Sequence, residues 1–139
     1  MKKKKLFPLL LSAVATLALA GPTPAPEGVS LYFTGLEDGD EVTSPVTVSF
    51  GLSGMGIAPA GVEHPNTGHH HLLLNVDELP DMDMPIPADE HHIHFGGGQT
   101  EVQLELEPGT HTLQLLLGDH FHVPHNPPVM SERISIVVE

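Results

Sequence analysis

Hydrophobic and polar residues alternate along most of the chain with a period of two. Apolar side chains occupy every second position in six segments: 29–33, 46–52, 72–76, 102–106, 113–117 and 134–138. Successive side chains of a β-strand point to opposite faces of a sheet, so this pattern predicts strands with one buried face. No segment shows the 3.6-residue period of an amphipathic helix convincingly.

Turn residues rich in Gly and Pro separate these segments. The clearest predicted hairpin runs from 102–106 through a Glu-Pro-Gly-Thr turn to 113–117. The chain is therefore predicted to be all-β, an immunoglobulin-like antiparallel β-sandwich of about six or seven strands. Residues 54–68 and 79–98 form long loops rich in His, Gly and Pro, and loops of that length in a compact domain are usually functional.

The N-terminal part predicts export. Residues 1–20 contain four lysines, an apolar stretch and an Ala-Leu-Ala cleavage motif, which are the three parts of a secretory signal peptide. Residues 21–28 are predicted to be a proline-rich tether, and residues 29–139 a single β-sandwich domain.

Composition narrows the function classes. The chain has no cysteine, which excludes disulfides, thiol catalysis and a lipid anchor on cysteine. All four lysines lie in the predicted signal peptide, so Arg133 alone opposes the 18 acidic residues of the remainder. This charge repels nucleic acid and attracts cations. We expect a soluble periplasmic protein that is not a lipoprotein and has no transmembrane segment after signal cleavage.

The histidines carry the strongest chemical signal. All 11 lie between His64 and His125, and they include three His-X-His pairs: His69/His71, His92/His94 and His120/His122. Residues i and i+2 of a strand point to the same face about 7 Å apart, so the two rings of a pair can approach one metal ion. The pairs therefore indicate metal binding, although about one such pair is expected by chance at this histidine content.

Strand register separates the three consecutive histidines. If Leu72 faces the core, His70 points inward with it, and His69 and His71 share the opposite face. His69 and His71 are therefore the predicted chelating pair. The alternative is a polar strand end with solvated imidazoles.

Two further segments offer ligands. His92 and His94 share one face of a short predicted strand, with histidines of a flexible lid as the alternative. In the segment Asp119–His125 a carboxylate stands beside imidazoles and can be a ligand or the partner that fixes a ring tautomer. His111 is in register with the leucines that follow it, which favours a buried structural histidine.

Ligand chemistry narrows the metal. Imidazoles without thiolates suit Zn(II), Cu(II), Ni(II) or Fe(II), and the Irving–Williams order favours copper where it is available. Met82 and Met84 offer thioethers suited to Cu(I), but methionines in loops more often pack against the domain. No nucleophile or phosphate-binding motif is present, so any catalysis would depend on the metal.

Five motifs resemble a known family. They are GMGIAPAG at 54–61, GHHHLL at 68–73, HFGGGQTE at 94–101, PGTHTLQL at 108–115, and a last motif that has Asp119, HVPH at 122–125 and PPV at 127–129. These strings are similar to those of the bacterial exported family known as domain of unknown function 4399 (DUF4399). The resemblance implies an exported single domain and singles out the motif histidines His69, His70, His71, His94, His111, His122 and His125. It leaves out His64, His91, His92 and His120, which favours single ligands from each segment.

The sequence therefore predicts one shared metal site built from three segments. The predicted ligands are His69, His71, His94, His122 and His125, supported by His70, His111 and Asp119. The leading hypothesis is an exported, periplasmic protein that binds copper or zinc.

Two alternatives remain open. One is a metal-dependent oxidoreductase or hydrolase on the same scaffold, with a ligand position left free for water or substrate. The other is an immunoglobulin-like module that uses histidines as a pH switch near their unperturbed pKa of about 6.5. That module would contact another exported protein through a hydrophobic rim of Ile57, Phe95, Phe121 and Val123.

Overall fold

The computed structural model describes residues 23–139, together with Pro8. This part of the chain contains no helix, and its regular structure consists of β-strands. They are β1 (Ser30–Thr34), β2 (Glu41–Val42), β3 (Val46–Ser53), β4 (Gly56–Ile57), β5 (Thr67–Leu74), β6 (His92–His94), β7 (Glu101–Leu104), β8 (Gly109–Gly118) and β9 (Ile134–Val138). The predicted all-β class is confirmed, and the immunoglobulin-like assignment stays a prediction.

The strands form two sheets. The first has the order β1-β3-β7 and is antiparallel throughout. The second has the order β2-β9-β8-β5, with β4 pairing along the start of β5 and β6 along its end. The pairs β2/β9 and β4/β5 are parallel, and the other pairs of this sheet are antiparallel. Strand β5 therefore has neighbours on both sides.

The main hydrophobic core joins the alternating residues of both sheets. Val48 from the first sheet and Leu72, Leu115 and Ile136 from the second have no exposed surface. Burial of such a side chain contributes roughly 1.5–3 kcal/mol to the free energy of folding. The apolar side chains at alternate positions of the strands thus stabilise the sandwich.

The predicted hairpin between residues 102–106 and 113–117 is wrong. Strand β7 pairs with β3 in the first sheet, whereas β8 pairs with β5 and β9 in the second. The chain crosses between the sheets here, and the amide of Leu106 donates to Oγ of Ser44 at 3.0 Å. Alternation could not separate the two arrangements, because both strands bury one face against the same core in either.

The second sheet also buries part of its outer face. Leu73 and Leu116 form a small cluster there with Ile86, which comes from the long segment between β5 and β6. The amide of Ile86 donates to the carbonyl oxygen of His122 at 2.8 Å. Part of the predicted 79–98 loop therefore lies over the outer face beside the histidines.

Residues 23–25, at the centre of the predicted tether, are joined to the domain. The amide of Asn126 donates to the carbonyl oxygen of Thr23 at 2.9 Å, and the amide of Ala25 donates to that of Asn126 at 3.1 Å. Ala25 also packs against the main core. The alternating prolines suggested a linker, but the residues between prolines keep the N–H groups that form these bonds.

The predicted signal peptide lies outside the described residues, apart from Pro8. Among the residues that are described, no helix has the length and apolar character needed to cross a membrane.

Candidate metal centre

Strand β5 is buried on both faces at its run of three histidines. His69, His70 and His71 are only 0 %, 1 % and 1 % exposed. Alternation along the strand turns His70 toward Phe50 in the core, where the ring centroids are 5.0 Å apart. His69 and His71 lie on the outer face, as the register argument predicts.

Strand pairing adds His94 to this face. His94 lies directly opposite His71 in the antiparallel β5/β6 pair. Residues paired in this way share a face and have Cβ atoms about 4.5–5.5 Å apart. The ring of His94 is 5.0 Å from that of His71 and 4.9 Å from that of His69, measured between centroids. The sheet itself therefore brings three imidazoles together.

His122 reaches the same place from the loop after β8. Its φ angle is 65°, in the left-handed region that histidine adopts more readily than most residues. Oδ1 of Asp119 accepts hydrogen bonds from the amides of Phe121 and Val123, at 2.8 and 3.0 Å. Its Oδ2 accepts a 2.7 Å hydrogen bond from Oγ1 of Thr23. The buried carboxylate thus fixes the backbone that carries His122.

Four imidazoles converge on the outer face: His69, His71, His94 and His122. One ring nitrogen from each lies within 4.8 Å of the corresponding nitrogen of every other. Nε2 of His69 is 3.1 Å from Nδ1 of His122 and 3.1 Å from Nε2 of His94. His69 and His71 are buried, whereas His94 and His122 keep part of their surface in solvent. The group therefore has a buried floor and an accessible side.

These nitrogen contacts are poorly explained as hydrogen bonds among the rings alone. A neutral imidazole nitrogen either carries a hydrogen or offers one lone pair, so Nε2 of His69 cannot serve both neighbours well. Nitrogens bound to one tetrahedral ion at about 2.0–2.1 Å lie about 3.3 Å from each other. These two 3.1 Å separations are close to that spacing, so the group could hold a transition-metal ion.

Burial favours the neutral form of three of these imidazoles: His69, His71 and His94. Desolvation, reinforced by His94 and His122, lowers the pKa of His69 to about 4. Desolvation and the other three rings of the group lower the pKa of His71 to about 3. The pKa of His94 is also lowered, first by burial and then by His122. Neutral rings offer lone pairs at pH 7, which is the state that binds a metal.

The carboxylate beside the group stays charged. Burial by itself raises the pKa of Asp119, but the hydrogen bonds from Thr23, Val123 and Phe121 outweigh it, so that the pKa lies below its usual range. Because its oxygens accept those bonds, Asp119 acts on the site through the loop of His122.

Two glycines leave room for the rings. A Cβ atom at Gly118 would lie 2.7 Å from Cε1 of His71 and 3.3 Å from Cα of His122. A Cβ atom at Gly96 would overlap Cε1 of the His94 ring. Neither glycine has a positive φ angle, so their importance lies in the absent side chain.

His125 and His70, which the sequence places among the site residues, lie outside the converging group. His125 is buried, and its Nε2 is 3.2 Å from the carbonyl oxygen of Thr67. His70 faces the core, and neither of its ring nitrogens has a hydrogen-bond partner within residues 23–139. The group contains four of the five predicted ligands.

His111 lies near the far end of β8. Its Nε2 is 2.7 Å from the carbonyl oxygen of Glu107, and its Nδ1 is 2.9 Å from Nδ2 of Asn75. Gly118 lies seven positions further along the strand, a distance of roughly 23 Å. It therefore does not support the cluster by contact.

The other members of the two remaining His-X-His pairs, His92 and His120, make contacts outside the converging group. Nδ1 of His92 is 2.8 Å from Oδ1 of Asp89, and the ring of His120 lies 4.1 Å from that of Phe121. Each of these pairs thus contributes a single histidine to the group. Met82 packs against the outer-face cluster of Leu73, Ile86 and Leu116, as the packing alternative predicted.

The predicted hydrophobic rim is incomplete, because Phe95 is buried. Phe95 is 5 % exposed and belongs to the main core, and Ile57 packs against that core. Phe121, at 69 % exposed, is the rim residue that projects into solvent.

Sequence reasoning missed three residues that shape the site: Thr23, Gly96 and Gly118. The position of Gly96 two residues after His94 was an available signal, because side chains at i and i+2 share a face. Thr23 offered no such signal, since its partner Asp119 is 96 residues away.

Comparison with known proteins assigns the chain to a family. No curated protein and no solved structure matches the chain significantly. The family model described as "Domain of unknown function (DUF4399)" matches residues 48–139, which include all four converging histidines. The chain belongs to this family of uncharacterised proteins.

Proposed function

We propose that this is an exported metal-binding protein that holds one copper or zinc ion. The proposed ligands are His69, His71, His94 and His122. The observation that carries the proposal is the convergence of one ring nitrogen from each of the four histidines, all within 4.8 Å of one another. Side chains from β5, β6 and the loop after β8 supply them, so the folded domain preorganises the site.

The choice of metal follows from the donors. Imidazole nitrogen suits Cu(II) and Zn(II), whereas Ca²⁺ and Mg²⁺ prefer oxygen ligands. The converging group contains no carboxylate and no thiolate. The low pKa values of His69 and His71 mean that little proton release opposes binding at neutral pH.

A metal-dependent enzyme is the second candidate. It is favoured by the partial exposure of His94 and His122, which gives small molecules a route to the ion. Superoxide dismutation and ester hydrolysis by the metal-loaded protein are the reactions to assay. Turnover no faster than that of the free ion identifies a binding protein.

A pH switch near neutrality has less support. The pKa values of His69 and His71, about 4 and 3, place their titration well below pH 6. The buried position of Phe95 also removes part of the surface that such a module would present to a partner.

Export to the periplasm is part of the proposal. It rests on the lysine-rich start, the apolar stretch and the Ala-Leu-Ala motif within residues 1–20. Cell fractionation with N-terminal sequencing tests it, and a chain that retains residues 1–20 in the cytoplasm contradicts it.

Calorimetric titration of the purified protein with Cu(II) and Zn(II) tests metal binding. We expect one ion per chain and an affinity well above that of a solvent-exposed histidine tag. His64→Ala is the matched control, because His64 is exposed and outside the group. Weak binding without defined stoichiometry would refute the proposal.

A further inference from the structure

The four rings of the cluster are not equally spaced. Five of the six ring pairs have centroids 4.7 to 5.0 Å apart. The sixth pair, His71 and His122, is 6.1 Å apart. The rings therefore crowd around His69 and His94 and spread apart between His71 and His122.

A closed tetrahedral site would have six similar separations. A metal–nitrogen distance of about 2.0–2.1 Å puts each ring centre about 3.2 Å from the ion, so tetrahedral rings lie about 5.2 Å apart. At that radius, the 6.1 Å separation of His71 and His122 corresponds to an angle of about 145° at the ion instead of about 109°. The remaining angles are compressed, which leaves part of the coordination sphere uncovered by protein.

A residue without a side chain, Gly118, lies next to the two histidines that flank the gap. Gly118 lies beside the His71 ring and the backbone of His122, since a Cβ atom there would be 3.2 Å from Nδ1 of His71 and 3.3 Å from Cα of His122. His122 is partly exposed, so solvent reaches this side of the cluster.

The charge at the site favours an anion. Imidazole coordinates a metal as a neutral ligand, so a divalent ion held by four histidines keeps its full charge. Asp119 does not neutralise it by coordination, because its carboxylate accepts hydrogen bonds from Thr23 and from two amides of its own loop.

We propose that the gap between His71 and His122 is an open coordination position that takes a small monovalent anion. This inference rests on the proposed function, because the anion binds to the ion that the four histidines hold. It identifies the ligand class as anions of two or three atoms, such as azide or cyanide, with hydroxide as the smallest member.

Azide titration of the Cu(II)-loaded protein tests the proposal. We expect a new charge-transfer absorption that saturates at one azide per copper, without loss of copper from the protein. Electron spin echo spectroscopy should still detect four imidazole nitrogens on the ion. The Co(II)-loaded protein should lose visible absorption intensity on azide binding, as it does when four-coordinate cobalt becomes five-coordinate.

The outcomes separate this proposal from the proposed function. Failure to bind Cu(II) with defined stoichiometry refutes the metal site itself. Binding of Cu(II) without any response to azide shows that His71 and His122 close around the ion, which overturns the open position alone. A fall from four to three imidazole nitrogens shows that azide displaces a histidine. Release of copper shows that azide removes the ion. Either result also overturns the open position.

Two variants complete the test. His64→Ala, outside the site, should leave the azide response unchanged. His71→Ala removes one wall of the gap, so the fraction of protein that retains copper should bind azide at least as tightly as the parent. Weaker azide binding by that fraction would contradict the assignment of the gap to this pair.

Discussion

The two faces of strand β5 carry the same residue type at the same burial, but in different surroundings. On the inner face, desolvation alone lowers the pKa of His70 to about 4, and both ring nitrogens lack a partner within residues 23–139. On the outer face, His69 and His71 reach pKa values of about 4 and 3 with added contributions from neighbouring imidazoles. A low pKa therefore does not identify a metal ligand; the convergence of ring nitrogens does.

The largest difference in Cu(II) affinity should be between substitutions on the outer face and substitutions on the inner face of β5. His69→Ala removes the ring whose Nε2 contacts both His94 and His122, so the affinity for Cu(II) should fall by more than the 10- to 100-fold typical of losing an outer partner. His70→Leu should leave the affinity unchanged. The His70→Leu variant should be as stable as the parent or more stable, because an apolar side chain replaces a buried polar group without partners.

Calorimetry and urea unfolding of the two variants, compared with the parent, measure both effects. If His70→Leu abolished metal binding while the domain remained folded, the distinction between the faces would be wrong. A His69→Ala protein that kept the parent affinity would point to a site elsewhere among the histidines.

Acid should destabilise the metal-free protein through both faces. The unfolded chain titrates these histidines near pH 6.5, whereas in the folded state the pKa values of His69 and His70 are about 4 and that of His71 about 3. Between these pH values the unfolded state binds more protons than the folded state. The contribution of these histidines to the free energy of unfolding is therefore fully present above about pH 6.5 and is lost as the pH drops toward 4. The loss can reach about 3 kcal/mol for each fully buried histidine.

Urea unfolding at several pH values from about 7 to about 4.5 measures this slope. His70→Leu should remove the contribution of His70 to this pH dependence and leave the contribution of His69 and His71. Stability that does not change over this range would contradict the lowered pKa values on both faces.

The sequence predicted most of what the sheet alone determines. Period-two alternation located the long strands, and register separated His70 from His69 and His71. It could not predict the partner of β7, because alternation describes burial and not which edge a strand joins. This is why alternation predicts a hairpin between residues 102–106 and 113–117, although the two strands lie in different sheets.

The site was predictable to the extent that it depends on strands. His69 and His71 follow from the pleat, but choosing His122 rather than His125 required the left-handed turn that Asp119 stabilises. That turn also depends on Thr23, which the proline spacing had placed in a tether. Long-range hydrogen bonds of this kind leave no periodic signal in a sequence.

Adding a methyl group beside the outer-face rings should weaken binding without removing a ligand. Gly118→Ala places a Cβ atom against the His71 ring, and Gly96→Ala places one against the His94 ring. We expect each to lower Cu(II) affinity by roughly tenfold, since displaced ligands lose part of their coordination. The matched control is Gly56→Ala, where the nearest atom is an ordinary 3.5 Å away. Equal affinities for all three alanine variants would show that the rings adjust freely.

The smallest effect should come from the bond that links Thr23 to the loop of His122. Thr23→Val keeps the shape but removes the hydroxyl that donates to Asp119 at 2.7 Å. Loss of a hydrogen bond to a charged group costs about 1.5–3 kcal/mol of stability, and the freed carboxylate should hold the turn less firmly. We expect Cu(II) affinity to fall a few-fold, with an altered Cu(II) spectrum, because only the ligand from the loop moves. An unchanged spectrum with lower stability would show that the N-terminal segment stabilises the fold without positioning His122.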